Sequence, residues 1–277
     1  MKTIKIGSDP DHSVTIGPDA PLAVIAGPCV IESRDLCLRI AERLKAIAQK
    51  LAIGYIFKAS FDKANRTSIS SFRGPGLQEG LAILDEIRQQ LDLPVCCDIH
   101  LPEQAATAAQ VLDILQIPAF LARQTDLVTA AAKTRKCVQV KKPQFLAPQD
   151  MKNVVKKITD SGNDQITLVE RGSSFGYNRL IADMTAIAQM QDIGYPVLMD
   201  ATHATQQPGG LGTASGGSPE YAGLLARSAV AAGADGLFLE THPHPDKALS
   251  DAASMLKLDD IEPLLTLCRD FYDRLRP

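Results

Sequence analysis

The sequence has no long apolar run and no large excess of charge of one sign. No stretch approaches the ~18 apolar residues of a membrane-spanning helix, and the start, MKTIKIGSDPDH, lacks the apolar segment of a secretory signal. The net charge of −3 argues against a general nucleic-acid-binding protein. We therefore expect a cytoplasmic protein with neither a membrane nor a nucleic acid as partner.

Common cysteine and glycine motifs are also missing. The six cysteines include no CxxC pair, which argues against a disulfide framework in a chain of this size. Neither GxGxxG after a strand nor GxxxxGK[ST] occurs, which excludes the usual nucleotide-binding loops. The composition, 45% hydrophobic and 22% charged, excludes a disordered chain.

Short apolar segments alternate with amphipathic stretches along the whole chain. In residues 36–51 the apolar side chains recur at a spacing near 3.6, and 77–91 and 221–232 behave similarly. Such alternation is typical of βαβ units with a parallel sheet, and eight units predict a closed (β/α)8 TIM barrel, here one domain over residues 1–277. The predicted strands are 22–29, 54–61, 94–100, 114–121, 138–144, 165–171, 196–203 and 236–242.

The first 20 residues stand outside this repeat. The segments MKTIKIG and SVTIG, separated by DPDH, predict a β-hairpin. We expect this hairpin to close the bottom of the barrel and to contribute no chemistry.

Each predicted strand begins with apolar residues and ends with a reactive one. The C-terminal ends of barrel strands face one another across the mouth, where catalytic residues collect. Polar groups at only this end therefore predict an active site there. The strand-end residues are Cys29, Lys58, Asp98, His100, Gln116, Lys141, Arg171, His203 and Glu240.

Many of the residues expected at the mouth are cations, although the chain is acidic overall. Such a cluster indicates anionic ligands, namely phosphates and a carboxylate. The alternative is that individual members are solvated loop charges. Lys141 and Arg171 argue against it because they end apolar strands, where an unpaired charge is unfavourable. The cations are Lys58, Lys63, Arg66, Arg123, Lys141, Lys142 and Arg171.

One thiol, one imidazole and two carboxylates form a second group, Cys29, His203, Glu240 and Asp251. These residue types suit a divalent Zn, Fe(II), Mn or Co ion. From residue types alone a metal-free interpretation is equally open, with a buried Cys29 and with His203 as a general acid or base. His242 and His244 resemble a ligand pair, but the prolines beside them predict a stiff loop.

A glycine-rich loop, PGGLGTASGGSPE, follows the seventh predicted strand. Its glycines are consistent with a mobile lid over the mouth, or with simple loop flexibility.

The motifs at the strand ends together resemble the 3-deoxy-D-manno-octulosonate 8-phosphate synthases, also called 2-dehydro-3-deoxyphosphooctonate aldolases. The resemblance covers essentially the whole chain. It implies that phosphoenolpyruvate, D-arabinose 5-phosphate and water give the eight-carbon sugar-acid phosphate and inorganic phosphate, in lipopolysaccharide precursor synthesis. The motifs are AGPCVIES (26–33), FKASFDKANRTSISSFRGPG (57–76), DIH (98–100), QIPAFLARQTDL (116–127), VKKPQFLAP (140–148), ERGSSFGYN (170–178), DATHATQQPGG (200–210) and ETHPHPDKALSDA (240–252).

The resemblance also implies roles for single residues. Arg123 would reach across a subunit interface to the sugar phosphate, which implies a homo-oligomer, in this family a homotetramer. Thr67 stands where many members have serine, and it keeps the hydroxyl. The expected phosphoenolpyruvate site is Lys58, Gln116, Ala119, Lys141 and Arg171, and the expected sugar-phosphate site is Lys63, Asn65, Arg66 and Thr67.

Metal-dependent members of this family have cysteine in the AGPC motif, whereas metal-independent members have asparagine. Cys29 therefore implies a metal-dependent enzyme with Cys29, His203, Glu240 and Asp251 as ligands. Lys63 would donate a proton to the aldehyde oxygen as the carbon–carbon bond forms. The expected catalytic residues are Cys29, Lys63, Asp98 and His203.

Two alternative functions remain at this point. The related 3-deoxy-D-arabino-heptulosonate 7-phosphate synthases use erythrose 4-phosphate, but their sugar motif reads KPRT where this chain reads KANRT, with Ala64 in place of proline. A non-catalytic barrel that binds sugar phosphates would have lost a ligand or a phosphate-binding residue, and none is missing here.

Overall fold

Eight parallel strands close into a barrel in the computed structural model, which describes residues 1–7, 13–210 and 215–276. Each strand pairs with the next along the chain, and the last pairs with the first through Gly236 and Ala23. The prediction of a (β/α)8 TIM barrel is thus confirmed. After an N-terminal hairpin of β1 (Ile4–Ile6) and β2 (Val14–Ile16), the barrel strands are β3 (Ala23–Gly27), β4 (Gly54–Lys58), β5 (Val95–Asp98), β6 (Ile114–Ile117), β7 (Cys137–Lys141), β8 (Ile166–Glu170), β9 (Val197–Asp200) and β10 (Gly236–His242).

Amphipathic helices surround the barrel and bury one face against it. The first begins after Ser33, which accepts a hydrogen bond from the Leu36 N–H, and it ends before Ala52, which has a left-handed backbone. No helix of the described residues is both long and apolar enough to cross a membrane. The helices are α1 (Arg34–Leu51), α2 (Leu77–Leu91), α3 (Gln104–Ala108), α4 (Thr125–Lys133), α5 (Met151–Asp160), α6 (Thr185–Gln191), α7 (Ala222–Ala231) and α8 (Ile261–Leu275).

Most barrel strands end earlier than their apolar sequence predicts. The segment 114–121 leaves the sheet at Ile117, because Pro118 has no N–H to donate and residues 119–121 form a 3-10 turn. The segment 138–144 similarly stops at Lys141, two residues before Pro143. The reactive residues just beyond these ends consequently lie in short loops at the mouth.

The predicted N-terminal hairpin is present as the antiparallel pair β1–β2, although its turn, residues 8–12, lies outside the described residues. The four apolar side chains of the pair form one buried cluster with inward-facing residues of the barrel, including Ala23, Ile114 and Cys137. These three residues begin or lie near the start of their strands. The hairpin thus packs against the end of the barrel opposite the mouth.

The residues that flank the glycine-rich loop after β9 pair with each other. Gln206–Gln207 pairs antiparallel with Gly216–Gly217, and residues 211–214 of the expected lid lie outside the described residues. A Cβ atom on Gly217 would lie 2.5 Å from the Ala253 carbonyl oxygen. Only glycine therefore allows this loop to approach the segment that carries Asp251.

Candidate active site

The barrel mouth opens into one cavity of about 560 Å³. Most of the residues predicted for the two substrates line it together, although they come from loops distant in sequence. Cys29 and Glu240 lie buried beside the cavity, with exposed fractions of 1% and 2%. The predicted residues in the lining are Lys58, Lys63, Asn65, Arg66, Thr67, Asp98, Gln116, Ala119, Lys141, Arg171, His203 and Asp251.

Lys58 is an almost fully buried cation among carboxylates. Its Nζ lies 3.0 Å from Glu240 Oε1 and 3.7 Å from Asp98 Oδ2, and it donates to the Cys29 carbonyl. Burial lowers the pKa of Lys58, but Glu240 and Asp98 outweigh burial and raise it well above its ordinary value. Lys58 is therefore charged. It contacts two of the predicted metal ligands, Cys29 and Glu240, as well as Asp98 in the cavity lining.

Asp200 holds both Lys141 and His203, and sequence analysis did not select it. Its Oδ2 lies 2.7 Å from His203 Nδ1 and forms a very short contact with Lys141 Nζ, while Oδ1 accepts the His203 main-chain N–H. The sequence feature that could have identified Asp200 is its position at the C-terminal end of β9, in the DATH motif. Although burial raises the pKa of Asp200, His203 and Lys141 lower it well below its ordinary value.

The four predicted metal ligands come together. Ligand atoms of Cys29, Glu240 and Asp251 lie within 4.8 Å of one another. His203 Nε2 lies 3.4 Å from Glu240 Oε2 and 3.6 Å from Asp251 Oδ2. Cys29, Glu240 and Asp251 are thus a possible metal-binding triad. His203 faces the last two of them.

The Cys29 thiol is buried next to the carboxylates of the cluster. Its sulfur lies 3.1 Å from both Ser250 Oγ and Asp251 Oδ2, which share the single S–H as acceptors. Burial, followed by the charges of Asp251 and Glu240, raises the pKa of Cys29 well above its ordinary value. Negative charge is therefore unfavourable on this sulfur until a cation lies nearby.

Two cavity-lining arginines each have a buried nitrogen without a hydrogen-bond partner among the described residues. Arg171 Nη2 donates to Gln206 Oε1 at 2.9 Å, whereas Nη1 is unpaired. Arg66 Nη1 donates to Ser250 Oγ at 2.7 Å, whereas Nε is unpaired. Because a buried donor without a partner is unfavourable, these nitrogens are candidate donors to an anionic ligand.

Two of the predicted cations lie away from the cavity. Lys142, next to the inward-facing Lys141, points to the other side of the sheet, where Nζ lies 3.6 Å from Glu170 Oε2 and donates to Ser173 Oγ. Its assignment to the mouth was wrong, because neighbouring strand residues face opposite ways. Arg123 is exposed and does not line the cavity of its own chain.

His242 and His244 do not face the metal-ligand cluster as a pair. His242 Nδ1 accepts the main-chain N–H of His244, and Nε2 lies 3.8 Å from Glu32 Oε2. The Glu32 carboxylate also accepts the Leu249 N–H at 2.9 Å. This arrangement braces the loop that leads to Asp251.

Comparison with known proteins identifies relatives along almost the entire chain. The DAHP synthetase I family matches residues 3–275. A 2-dehydro-3-deoxyphosphooctonate aldolase of Geobacter sp. (strain M21) is 58% identical over 252 residues, 91% of this chain and 92% of the relative. Proteins of the same name from Desulfatibacillum aliphaticivorans and Protochlamydia amoebophila are 56% and 53% identical, over 92% and 94% of this chain and 93% and 95% of theirs.

These relatives confirm the resemblance that the strand-end motifs predict. They carry the name that the sequence motifs indicate rather than that of the heptulosonate synthases. The chain therefore belongs to the DAHP synthetase I family.

Proposed function

We propose that the protein condenses phosphoenolpyruvate with D-arabinose 5-phosphate and water, releasing 3-deoxy-D-manno-octulosonate 8-phosphate and inorganic phosphate. The observation that carries the proposal is a pair of arginine nitrogens, Arg171 Nη1 and Arg66 Nε, that have no partner in the described part of the chain. They lie in one cavity with three lysines. Two phosphorylated substrates supply the anionic oxygens that these donors lack. The names of the relatives favour arabinose 5-phosphate over erythrose 4-phosphate.

Lys141 and Arg171 form the proposed phosphoenolpyruvate site, with Lys58, Gln116 and Ala119 beside them. Both side chains are more than nine-tenths buried, so their charges are little screened. Burial lowers the pKa of Lys141 in spite of the nearby Asp200, which means that its charge is poorly compensated. A bound phosphate or carboxylate would complete that compensation.

Lys63, Asn65, Arg66 and Thr67 form the proposed sugar-phosphate site at the rim. Lys63 is 8% exposed, whereas Asn65 and Thr67 are exposed, so this segment extends from the buried floor to solvent. That extent suits a sugar with its aldehyde inside and its phosphate outside. Lys63 would then protonate the aldehyde oxygen as carbon 3 of phosphoenolpyruvate attacks.

The donor set of Cys29, His203, Glu240 and Asp251 fits a divalent cation, either Zn, Fe(II), Mn or Co. When bound, such an ion would act as a Lewis acid that stabilises negative charge developing on oxygen. Burial lowers the pKa of His203, but Asp200 and Glu240 outweigh burial and raise it. Asp200 holds Nδ1 and so directs Nε2 toward Glu240 and Asp251.

We also propose a cytoplasmic homotetramer that serves lipopolysaccharide precursor synthesis. The position of Arg123 supports the assembly, because this exposed cation lies outside its own cavity while Phe120, three residues earlier, lines the cavity and is 56% exposed. Arg123 would reach the sugar phosphate of a neighbouring subunit. Light scattering of the purified protein should give four times the mass of one chain.

The proposed reaction is tested by measuring phosphate release from phosphoenolpyruvate with each of two sugars. We expect faster release with arabinose 5-phosphate than with erythrose 4-phosphate. Faster release with the four-carbon sugar would assign the heptulosonate reaction instead. Binding of both phosphorylated substrates without any release would indicate a non-catalytic sugar-phosphate-binding protein.

A further inference from the structure

Four polar side chains lie side by side at one level of the barrel interior, and two of them reach the floor of the cavity. Asp98, Gln116, Gln139 and Thr167 are register partners on the neighbouring strands β5, β6, β7 and β8. Thr167 Oγ1 donates to Gln139 Oε1 at 3.2 Å, Gln139 Nε2 to Gln116 Oε1 at 2.7 Å, and Gln116 Nε2 to Asp98 Oδ1 at 2.6 Å. We call these four residues the polar ladder.

The charge of Asp98 sets the direction of every hydrogen bond in the ladder. An ionised carboxylate only accepts, so Gln116 must turn its amide nitrogen toward Asp98. Its oxygen then faces Gln139 and requires the nitrogen of that residue, which leaves the Gln139 oxygen facing Thr167. The Thr167 hydroxyl must therefore donate. Both glutamine orientations follow from this single charge.

Two members of the ladder do not reach the cavity in which we propose that substrates bind. Gln139 and Thr167 are fully buried and do not line the cavity, whereas Asp98 and Gln116 do. A buried glutamine is unfavourable unless its amide is paired. Gln139 supplies the donor that the Gln116 amide oxygen needs, and Thr167 supplies the donor that the Gln139 amide oxygen needs.

Asp98 is held from its other side by different groups. Ser60 Oγ donates to Oδ2, and Lys58 Nζ lies 3.7 Å from the same oxygen. Although burial raises the pKa of Asp98, Lys58 and Lys63 lower it far below its ordinary value. The ladder supplies the constraint on Oδ1, and the two together fix the plane of the carboxylate.

We propose that Gln139 and Thr167 are positioning residues of this enzyme, which act through Gln116 to orient the Asp98 carboxylate toward the reacting substrates. This inference rests on the proposed function and adds two residues to its machinery. Without the Thr167 hydroxyl, the Gln139 side chain can rotate. Gln116 then loses its fixed partner, and the orientation of the Asp98 carboxylate becomes less well defined. Misplacement of catalytic groups by about 1 Å reduces rates by up to about 100-fold.

The test compares Thr167→Val, which removes the hydroxyl at nearly constant shape, with Thr167→Ser, which keeps it. We expect kcat to fall about tenfold or more in Thr167→Val and to stay within about twofold in Thr167→Ser. Ile114→Val, a methyl deletion in the same interior but outside the ladder, should change thermal stability without this loss of kcat. Equal kcat values for Thr167→Val and the wild type would overturn the proposal.

A second variant, Gln139→Met, checks that the ladder acts as a unit. The double variant Thr167→Val/Gln139→Met should be no slower than Gln139→Met alone, because one break already disconnects the ladder. Losses that multiply would contradict a shared path through Gln116.

A readout without substrate separates this inference from the proposed function. With 15N-labelled glutamine, the side-chain amide of Gln116 should give one sharp, slowly exchanging NH2 pair in the wild type and a shifted or broadened one in Thr167→Val. Identical Gln116 signals in the two proteins would overturn the ladder. A wild type that fails to release phosphate would overturn the proposed reaction while leaving this result intact.

Discussion

His203 Nδ1 lies 2.7 Å from Asp200 Oδ2, and the same carboxylate accepts the main-chain N–H of His203 through Oδ1. The imidazole is thus fixed at both its ring and its backbone, and Nε2 faces Glu240 and Asp251. Because Lys141 also contacts Asp200, one buried carboxylate connects the proposed metal centre with the proposed phosphoenolpyruvate site.

Asp200→Ala should therefore weaken metal binding although Asp200 is not itself a proposed ligand. Loss of an outer carboxylate that orients a ligating histidine reduces metal affinity by about 10–100-fold. The measurement is a competition titration of Mn²⁺ or Zn²⁺ against a chelator. Asp200→Asn keeps one oxygen for the ring N–H and should lose less. Wild-type affinity in Asp200→Ala would contradict this role.

Cys29→Asn should give an enzyme whose remaining activity does not depend on metal. Asparagine is neutral and replaces the thiolate that a divalent ion would select, while the rest of the cavity is retained. Phosphate release is measured before and after treatment with a chelator. If the remaining activity of the variant is still abolished by the chelator, the cysteine is not what makes the enzyme depend on metal.

Arg171→Ala should raise the KM for phosphoenolpyruvate by about 10- to 100-fold, since hydrogen bonds to charged groups contribute ~1.5–3 kcal/mol. The KM for arabinose 5-phosphate should change much less. Arg34→Ala serves as a matched control, because Arg34 forms an exposed ion pair with Glu86 on α1 and α2. An unchanged KM for phosphoenolpyruvate would remove Arg171 from the binding site.

Gly80→Ala should destabilise the protein even though alanine favours helices. The gain in helix propensity is ~1 kcal/mol, but the new Cβ would lie 2.3 Å from Phe61 Cβ, and overpacking in a core costs ~1–3 kcal/mol. Phe61 lies two residues before Lys63, so the KM for the sugar should rise as well. The readouts are the Tm and that KM.

Gly223→Ala on α7 provides the matched control. There the nearest atoms to a new Cβ lie at 3.4 Å and 3.6 Å, in ordinary contact. We expect this variant to be as stable as the wild type or more stable. A Gly80→Ala variant that shares this gain would show that the close approach to Phe61 relaxes freely.

The barrel and its mouth were predictable because the strand ends carry their chemistry in sequence order. The limits of the strands were less predictable. Apolar residues continue to residue 121, but Pro118 ends the β-sheet hydrogen bonding of β6 at Ile117. Which face of the sheet a side chain points to was also not predicted correctly at every position. Lys141 and Lys142 look alike in sequence, yet the alternation of the strand turns one inward and the other outward.

The candidate site was predictable as a set of residue types but not as a network. Its four proposed metal ligands come from distant segments. Their residue types group them, but only the family resemblance favours a metal site over a metal-free one. Gln139 and Thr167 lie outside the motifs, and Asp200 lies within one without standing out as a ligand. The importance of all three depends on which neighbour each one contacts. Such contacts depend on register, which a single sequence does not specify.

The central claim is tested most directly by phosphate release from phosphoenolpyruvate and arabinose 5-phosphate, with chelator and then with added Mn²⁺ or Zn²⁺. We predict activity that disappears with the chelator and returns with the metal. Activity that the chelator does not affect would contradict the role of Cys29, His203, Glu240 and Asp251 as metal ligands. Absence of release under all conditions would contradict the proposed reaction itself.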